Sequence, residues 1–189
     1  MKYTIPAVLF AGGKSSRMGK DKALLPFGKY STLSEFQYQK LTSYFNNVYL
    51  IAKENKFLFE APLILDQYKE SSPLVGIVSI FEYLQVDEVF ILSVDAPFIE
   101  KEIIDTLLQQ TSTTDATIAK SPHGLEPLCG IYRRSILPLA KAYLDNHNYK
   151  LQTLLNTANT DFIYFEDSES FFNLNHPKEY KEALQKITS

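Results

Sequence analysis

The run Val89-Phe90-Ile91-Leu92-Ser93-Val94 constrains this chain more than any other stretch. It shows no alternation of apolar and polar residues, so it offers water no face. A strand of that kind is buried on both sides, in a parallel sheet covered by helices. A second apolar run, Ile5 to Ala11, predicts a strand over residues 3–10. Around these two, apolar runs alternate with longer amphipathic segments, the sequence form of β-α units. Further strands are predicted over 48–52, 63–65, 116–119, 128–132 and 162–165. Helices are predicted from Thr32 or Ser34, and over 74–84, 100–110, 135–144, 150–155 and 176–186. Thr32 and Glu35 have capping-box spacing, Ser121-Pro122-His123-Gly124 reads as a turn, and residues 171–175 read as extended. The fold class is α/β with a mostly parallel central sheet. At 189 residues the chain makes one domain, 1–189, and is short for two.

Ligands of open parallel sheets bind at the carboxyl ends of the strands. The first strand ends in Gly12-Gly13, followed by a loop carrying Lys14, Arg17, Lys20 and Lys22. Glycines let a backbone approach phosphate closely, and successive N–H groups can cradle an anion. The third strand ends at Asp66 and the most apolar one at Asp95. A basic glycine loop and two carboxylates are thus expected on one sheet edge. Asp95 can ligate a divalent cation shared with phosphate oxygens; its plainer reading is the N-cap of the next helix. Asp66 can equally be a turn residue. Ser72-Pro73-Leu74-Val75-Gly76-Ile77 would aim helix N–H groups at a ligand. Asn173 and Asn175 share a face if their segment is extended, and Asn175 can instead cap the last helix.

Other chemistries find less support. The loop is neither a Walker A motif nor Gly-x-Gly-x-x-Gly, and Ser15 and Ser16 lack a nucleophile elbow. His123, His147 and His176 show no zinc spacing. The lone Cys129 excludes an internal disulfide framework and reads as a buried thiol. A net charge of −3, with basic groups concentrated in one loop, favours a small anionic ligand over a nucleic acid. No run is long enough to span a membrane and no signal peptide is evident, so a cytoplasmic protein is expected.

The stretch Leu9-Phe10-Ala11-Gly12-Gly13-Lys14-Ser15-Ser16-Arg17-Met18-Gly19-Lys20-Asp21-Lys22-Ala23-Leu24-Leu25 closely resembles the signature of the molybdenum cofactor guanylyltransferases, within the Rossmann-like nucleotidyltransferase superfamily. The resemblance continues at Asp66, at residues 72–77, at Asp95-Ala96-Pro97-Phe98, at Pro127-Leu128-Cys129-Gly130-Ile131-Tyr132 and at Asn173-Leu174-Asn175-His176-Pro177. It implies a three-layer α/β/α Rossmann-like domain. It also implies transfer of GMP from GTP to the phosphate of a molybdopterin-type cofactor, with Mg²⁺ and release of pyrophosphate. Carried over by position, the backbone of Leu9, Phe10, Ala11, Gly12 and Gly13 would hold the nucleotide. Lys22 would contact phosphate, Asp66 the guanosine part, and Asp95 both nucleotide and Mg²⁺. Arg17 would meet the triphosphate, while Asn173 and Asn175 would stand near the metal and the second substrate.

Transient contact with cofactor-delivery proteins and molybdoenzymes goes with that assignment. The chain departs from the family pattern at Ser72, where Gly is frequent, at Ile51-Ala52-Lys53, where some members carry a nucleotide-contacting Asn, and at His176, usually Thr. Two other readings share the same loop. One is a cytidylyltransferase acting on molybdopterin or on a sugar or polyol phosphate; the other is a nucleotide-binding module without catalysis.

Overall fold

β1, Ala7–Phe10, and β4, Glu88–Ser93, lie parallel and side by side in the middle of the sheet. The structure is a computed structural model, and it describes residues 1–12, 19–110 and 113–188. β1 also pairs in parallel with β2, Val48–Ala52, which pairs with β3, Leu63–Leu65. On the other side of β4 runs β6, Gly124–Arg133, antiparallel to β4 and to β5, Ala116–Ser121. β7, Thr160–Tyr164, closes that edge parallel to β5. The order is β3-β2-β1-β4-β6-β5-β7, seven strands among the described residues, mostly parallel.

Alternation along the central strands builds two cores. Ala7 and Leu9 of β1, with Phe90 and Leu92 of β4, face one layer; Val8, Phe10, Val89 and Ile91 face the other. The first layer contains α1, Leu33–Tyr44, α3, Lys101–Gln109, and α6, Pro177–Thr188. The second contains α2, Pro73–Tyr83, α4, Leu137–Asp145, and α5, Leu151–Thr157. This is the three-layer α/β/α Rossmann-like arrangement.

Three elements differ from the sequence expectation. β1 starts at Ala7 and not at residue 3, because Pro6 has no N–H to enter the ladder; Tyr3 makes only an isolated bridge to Phe45. The hairpin β5–β6 is longer than the apolar runs suggested, turning at Ser121–Gly124 with Gly124 at φ +130°. α2 has no solvent stripe over its first two turns: residues 74–81 are all buried, between the sheet and α4.

Local capping follows the sequence. Thr32 Oγ1 accepts from the Glu35 N–H, while Glu35 Oε2 reaches back to the N–H of Ser31. Ser72 Oγ accepts from the Val75 N–H and caps α2.

Candidate active site

The parallel strands β1 to β4 end on one edge, and Gly12, Asp66 and Asp95 follow the ends of β1, β3 and β4 there. Asp95 is not a helix cap, since α3 begins only at Lys101 and its N-cap is Glu100. Its carboxylate instead takes the ammonium of Lys22, and both side chains are largely buried. The Lys22 Nζ also lies 3.4 Å from the Leu174 carbonyl and 3.5 Å from Asn175 Oδ1. The Leu174 N–H donates to the Asp95 carbonyl at 2.8 Å, which pins the 173–175 segment beside β4. Leu174 is fully buried, so its two neighbours sit on the site side of the segment. Asn175 does not cap α6. Glu179 in the first turn accepts from the N–H groups of Asn175 and His176 at 2.5 and 2.8 Å.

The Asp95 loop is held from behind by α1. The buried Gln37 donates from Nε2 to the carbonyls of Ala96 (2.8 Å) and Val94 (3.4 Å). Lys40 donates from Nζ to the carbonyls of Pro97 (2.5 Å) and Ile99 (2.8 Å). Burial lowers the Lys40 ammonium to about 8, with Glu100 pulling the other way. Single interior polar residues on an otherwise amphipathic helix were the available sequence signal, and no motif marks them.

Two adjoining cavities lie on this edge, and Asp95 lines the smaller of them. The larger, about 450 Å³, lies between the ends of β1 and β3 and the start of α2. Phe10, Gly12, Lys53, Asp66 and Gly76 line it. The Asp66 side chain is only 9% exposed: Oδ2 pairs with Lys53 at 2.8 Å, and Oδ1 accepts from Ser79 Oγ and the Tyr68 N–H, both at 3.1 Å. Asp66 is therefore both the turn residue and a cavity wall. Lys53 also donates to the carbonyls of Tyr68 and Glu70, tying down the loop after β3. An ideal Cβ on Gly76 would lie 2.5 Å from Phe10 Cε1, so only glycine lets α2 come this close to β1. Beside Gly12 a further hollow of about 320 Å³ gathers Lys53, Lys56 and Lys69.

The second cavity, about 270 Å³, is bounded by Asp95, Asn173, Glu126, Leu128 and Phe171. Pro73 and Leu128 line both it and the larger cavity. Because β6 runs against β4, its leading half projects over the carboxyl edge and carries Glu126 there. Glu126 accepts from Ser121 Oγ at 2.8 Å and from Asn173 Nδ2 at 3.3 Å. Burial pushes its carboxyl above the ordinary range and Asp95 adds to that, against the two hydrogen bonds and His123.

Lys22, Asp95, Asn173 and Asn175 are thus brought together, and Asp66 joins Phe10 and Gly12 in the adjacent cavity. Leu9 and Ala11 are buried beneath, their backbones engaged by the flanking strands. Gly13 and Arg17 lie outside the described residues. Sequence reasoning missed Glu126, Lys53, Gln37 and Lys40. Glu126 stood one residue before the Pro127-Leu128 motif, and an antiparallel return of the following strand was the signal that could have placed it.

Residue geometry of this kind suits a hard cation held partly by substrate. Among the described residues no three His, Cys, Asp or Glu side chains gather into a metal cage. Asp95 offers one accessible carboxylate, and Mg²⁺ ordinarily takes one or two with phosphate oxygens and water.

A family model described as a MobA-like NTP transferase domain matches residues 7–161. A relative from Campylobacter jejuni (strain RM1221), named molybdenum cofactor guanylyltransferase, is 38% identical over 183 residues, 95% of each chain. One of the same name from Helicobacter pylori (strain G27) is 35% identical over 187 residues, covering 96% of this chain and 92% of its own. The crystal structure of molybdopterin-guanine dinucleotide biosynthesis protein A from Archaeoglobus fulgidus superposes with a TM-score of 0.84. It covers 97% of this chain and 99% of that one, at 22% identity, a likeness of fold.

Proposed function

The chain belongs to the MobA-like NTP transferase family and is a nucleotidyltransferase, and from that premise we propose that it transfers GMP from GTP to the phosphate of molybdenum-molybdopterin. A phosphate oxygen of the acceptor attacks the α-phosphorus of GTP. The new O–P bond forms as the bond to the β-phosphate oxygen breaks, and pyrophosphate leaves with that electron pair. The observation that carries this reading is the Lys22–Asp95 pair beside the smaller of two adjoining cavities, which would take one substrate each.

Both substrates are anionic, so repulsion is the first obstacle. Lys22 is placed to exchange its contact with Asp95 for phosphate oxygens, which brings positive charge to the reacting centre. Asp95, released from Lys22, would hold Mg²⁺ with the nucleotide and Asn175 beside it. Bound there, the cation would supply Lewis-acid stabilisation of the phosphoryl charge. Gln37 and Lys40 fix the loop that carries Asp95, so its carboxylate need not be reordered during the reaction. Gly12 with Lys53, Lys56 and Lys69 would meet the triphosphate, in a hollow that Asp21 and Glu54 also line, and the nucleoside would occupy the cavity beside Asp66. Arg17, in the same motif, would add a contact to the triphosphate. The acceptor phosphate is already ionised near neutral pH, so no general base is needed. Among the described residues no helix is long and apolar enough to cross a membrane. A cytoplasmic enzyme passing its product to molybdoenzymes fits this chemistry.

Pyrophosphate release, measured with each of the four NTPs, Mg²⁺ and the pterin acceptor, tests the reading. GTP should support turnover. Turnover with CTP and none with GTP would move the assignment to a cytidylyltransferase.

A further inference from the structure

The second cavity has an unusual charge for a site that must receive a phosphorylated molecule. The acidic side chains lining it are Asp95 and Glu126, and among the described lining residues there is no lysine or arginine. A phosphate is repelled from such a wall and is drawn instead to Lys22, on the far side of Asp95. What remains for the cavity is the uncharged part of the acceptor. The walls are largely apolar, with Pro127, Leu128, Leu151 and Phe171 among them, and the volume of about 270 Å³ suits a fused ring system more than a flexible chain.

Glu126 is the polar feature deepest in function for that ring. Its two oxygens each have one protein partner, Ser121 for Oε1 and Asn173 for Oε2. A carboxylate has about four lone-pair sites, so each oxygen retains capacity for one more donor. Two acceptors fixed side by side match two adjacent N–H donors, as on a ring nitrogen next to an exocyclic amine. The antiparallel course of β6 sets the carboxylate at this height, and the Ser121 and Asn173 contacts fix its rotation. The site is thus ordered before the ligand arrives.

The geometry points to Glu126 as the residue that recognises the acceptor's heterocycle, pairing its carboxylate with the ring N–H and exocyclic amine of a 2-amino-4-oxo pteridine edge. This rests on the reading of the acceptor as a molybdopterin. The cavity thereby divides the acceptor in two: N–H edge on Glu126, phosphate toward Lys22. A carboxylate also discriminates strongly, because a ring presenting a carbonyl in place of the amine would set oxygen against oxygen.

The test uses the full chain and two fluorescent probes, 2-amino-4-oxopteridine and its 2,4-dioxo analogue, which lacks the amine. The wild type should bind the amino compound at least ~10-fold more tightly, the scale of a charge-assisted pair in a partly buried site. Glu126→Gln and Glu126→Ala should each bring the preference close to unity. In steady-state assays Glu126→Gln should raise the KM of the acceptor ~10- to 100-fold, on the same basis, and leave the KM of GTP unchanged. A variant that keeps the wild-type preference, or that shifts the KM of GTP and not that of the acceptor, overturns the proposal. A residue that only braces the β5–β6 hairpin through Ser121 would lower Tm and leave the preference intact, which likewise overturns it. If the wild type binds neither pteridine and no NTP yields pyrophosphate, the molybdopterin reading itself fails, and this assignment with it.

Discussion

Lys22 and Asp95, 73 residues apart in sequence, are hydrogen-bonded to each other, and Asp95 lines the smaller of the two adjoining cavities. Each neutralises the other until a nucleotide arrives. On the proposed function the pair would supply the two charges that phosphoryl transfer needs, one for phosphate and one for a cation, and here neither is left uncompensated.

Separating the roles is straightforward by substitution. Lys22→Met leaves the carboxylate but removes the phosphate contact, and should lower kcat/KM for GTP at least ~100-fold, the usual scale for losing a preorganised transition-state contact. Asp95→Ala should abolish the dependence of turnover on Mg²⁺ along with the turnover. Far-UV circular dichroism should be unchanged in both, because the Leu174 N–H bonds the Asp95 carbonyl, which neither substitution removes. Normal metal-dependent kinetics in Asp95→Ala would remove that residue from the metal role.

Lys53 tests the other cavity. It pairs with Asp66 at 2.8 Å and holds the loop after β3 through the Tyr68 and Glu70 carbonyls. Lys53→Met should release that loop and raise the KM for GTP by roughly 10-fold, with kcat within about 3-fold, since a contact made equally in ground and transition states changes binding alone. Initial-rate measurements over a range of GTP concentrations decide it. A drop in kcat at constant KM would place Lys53 in the chemical step instead.

These residues also show how far the sequence could be read. β2 and β3 match their predicted bounds because each is a short apolar run flanked by polar or turn residues. Asp66 and Asp95 were legible as candidates because they follow strand ends, where a parallel sheet collects its ligands, and Lys22 because it belongs to the basic loop after β1. The partners were not. Nothing in residues 33–44 tells that Gln37 and Lys40 point at the Asp95 loop and not at solvent; that depends on how α1 lies across β1 and β2. Glu126 was missed because the apolar run placed the returning strand at 128–132, whereas β6 starts at Gly124 and includes polar residues before that run. The buried all-round face of α2 likewise comes from α4 packing outside it, a tertiary fact.

Gly76 sets how closely α2 packs on β1 beside the cavity proposed for the nucleotide. A Cβ there would stand 2.5 and 2.8 Å from two ring atoms of Phe10. Gly76→Ala should destabilise the fold by about 1–3 kcal/mol through overpacking and push the Phe10 ring toward the larger cavity, weakening GTP binding. Thermal unfolding and equilibrium titration with GTP report the two effects separately. Adding Phe10→Leu to the same chain should restore much of the stability, because the clash is with the ring edge. Equal Tm values for Gly76→Ala and the wild type would show that the helix can retreat from the strand at no cost.

The Lys40 ammonium makes stability depend on pH in an uncommon direction. Its ordinary value is 10.5 and burial brings it to about 8 in the folded protein. Between those values the unfolded chain binds more protons than the folded one, so stability rises with pH. Below about pH 8 both states are protonated and the desolvation cost is present in full. Raising the pH from 7.5 to 9.5 should therefore add about 2 kcal/mol from this group. The neutral amine still donates to the Pro97 and Ile99 carbonyls, so the Asp95 loop stays held. Burial raises the Cys129 thiol, ordinarily near 9.0, so its contribution to stability falls as pH rises through about 9 and offsets part of the Lys40 gain within the same window; the raised Tyr3 and Tyr38 add to that fall only above about pH 10. Urea unfolding at pH 7.5, 8.5 and 9.5 measures the slope. Lys40→Met should lower the slope relative to the wild type, leaving the fall that Cys129 contributes, and an identical slope in the variant would mean that another group carries the titration.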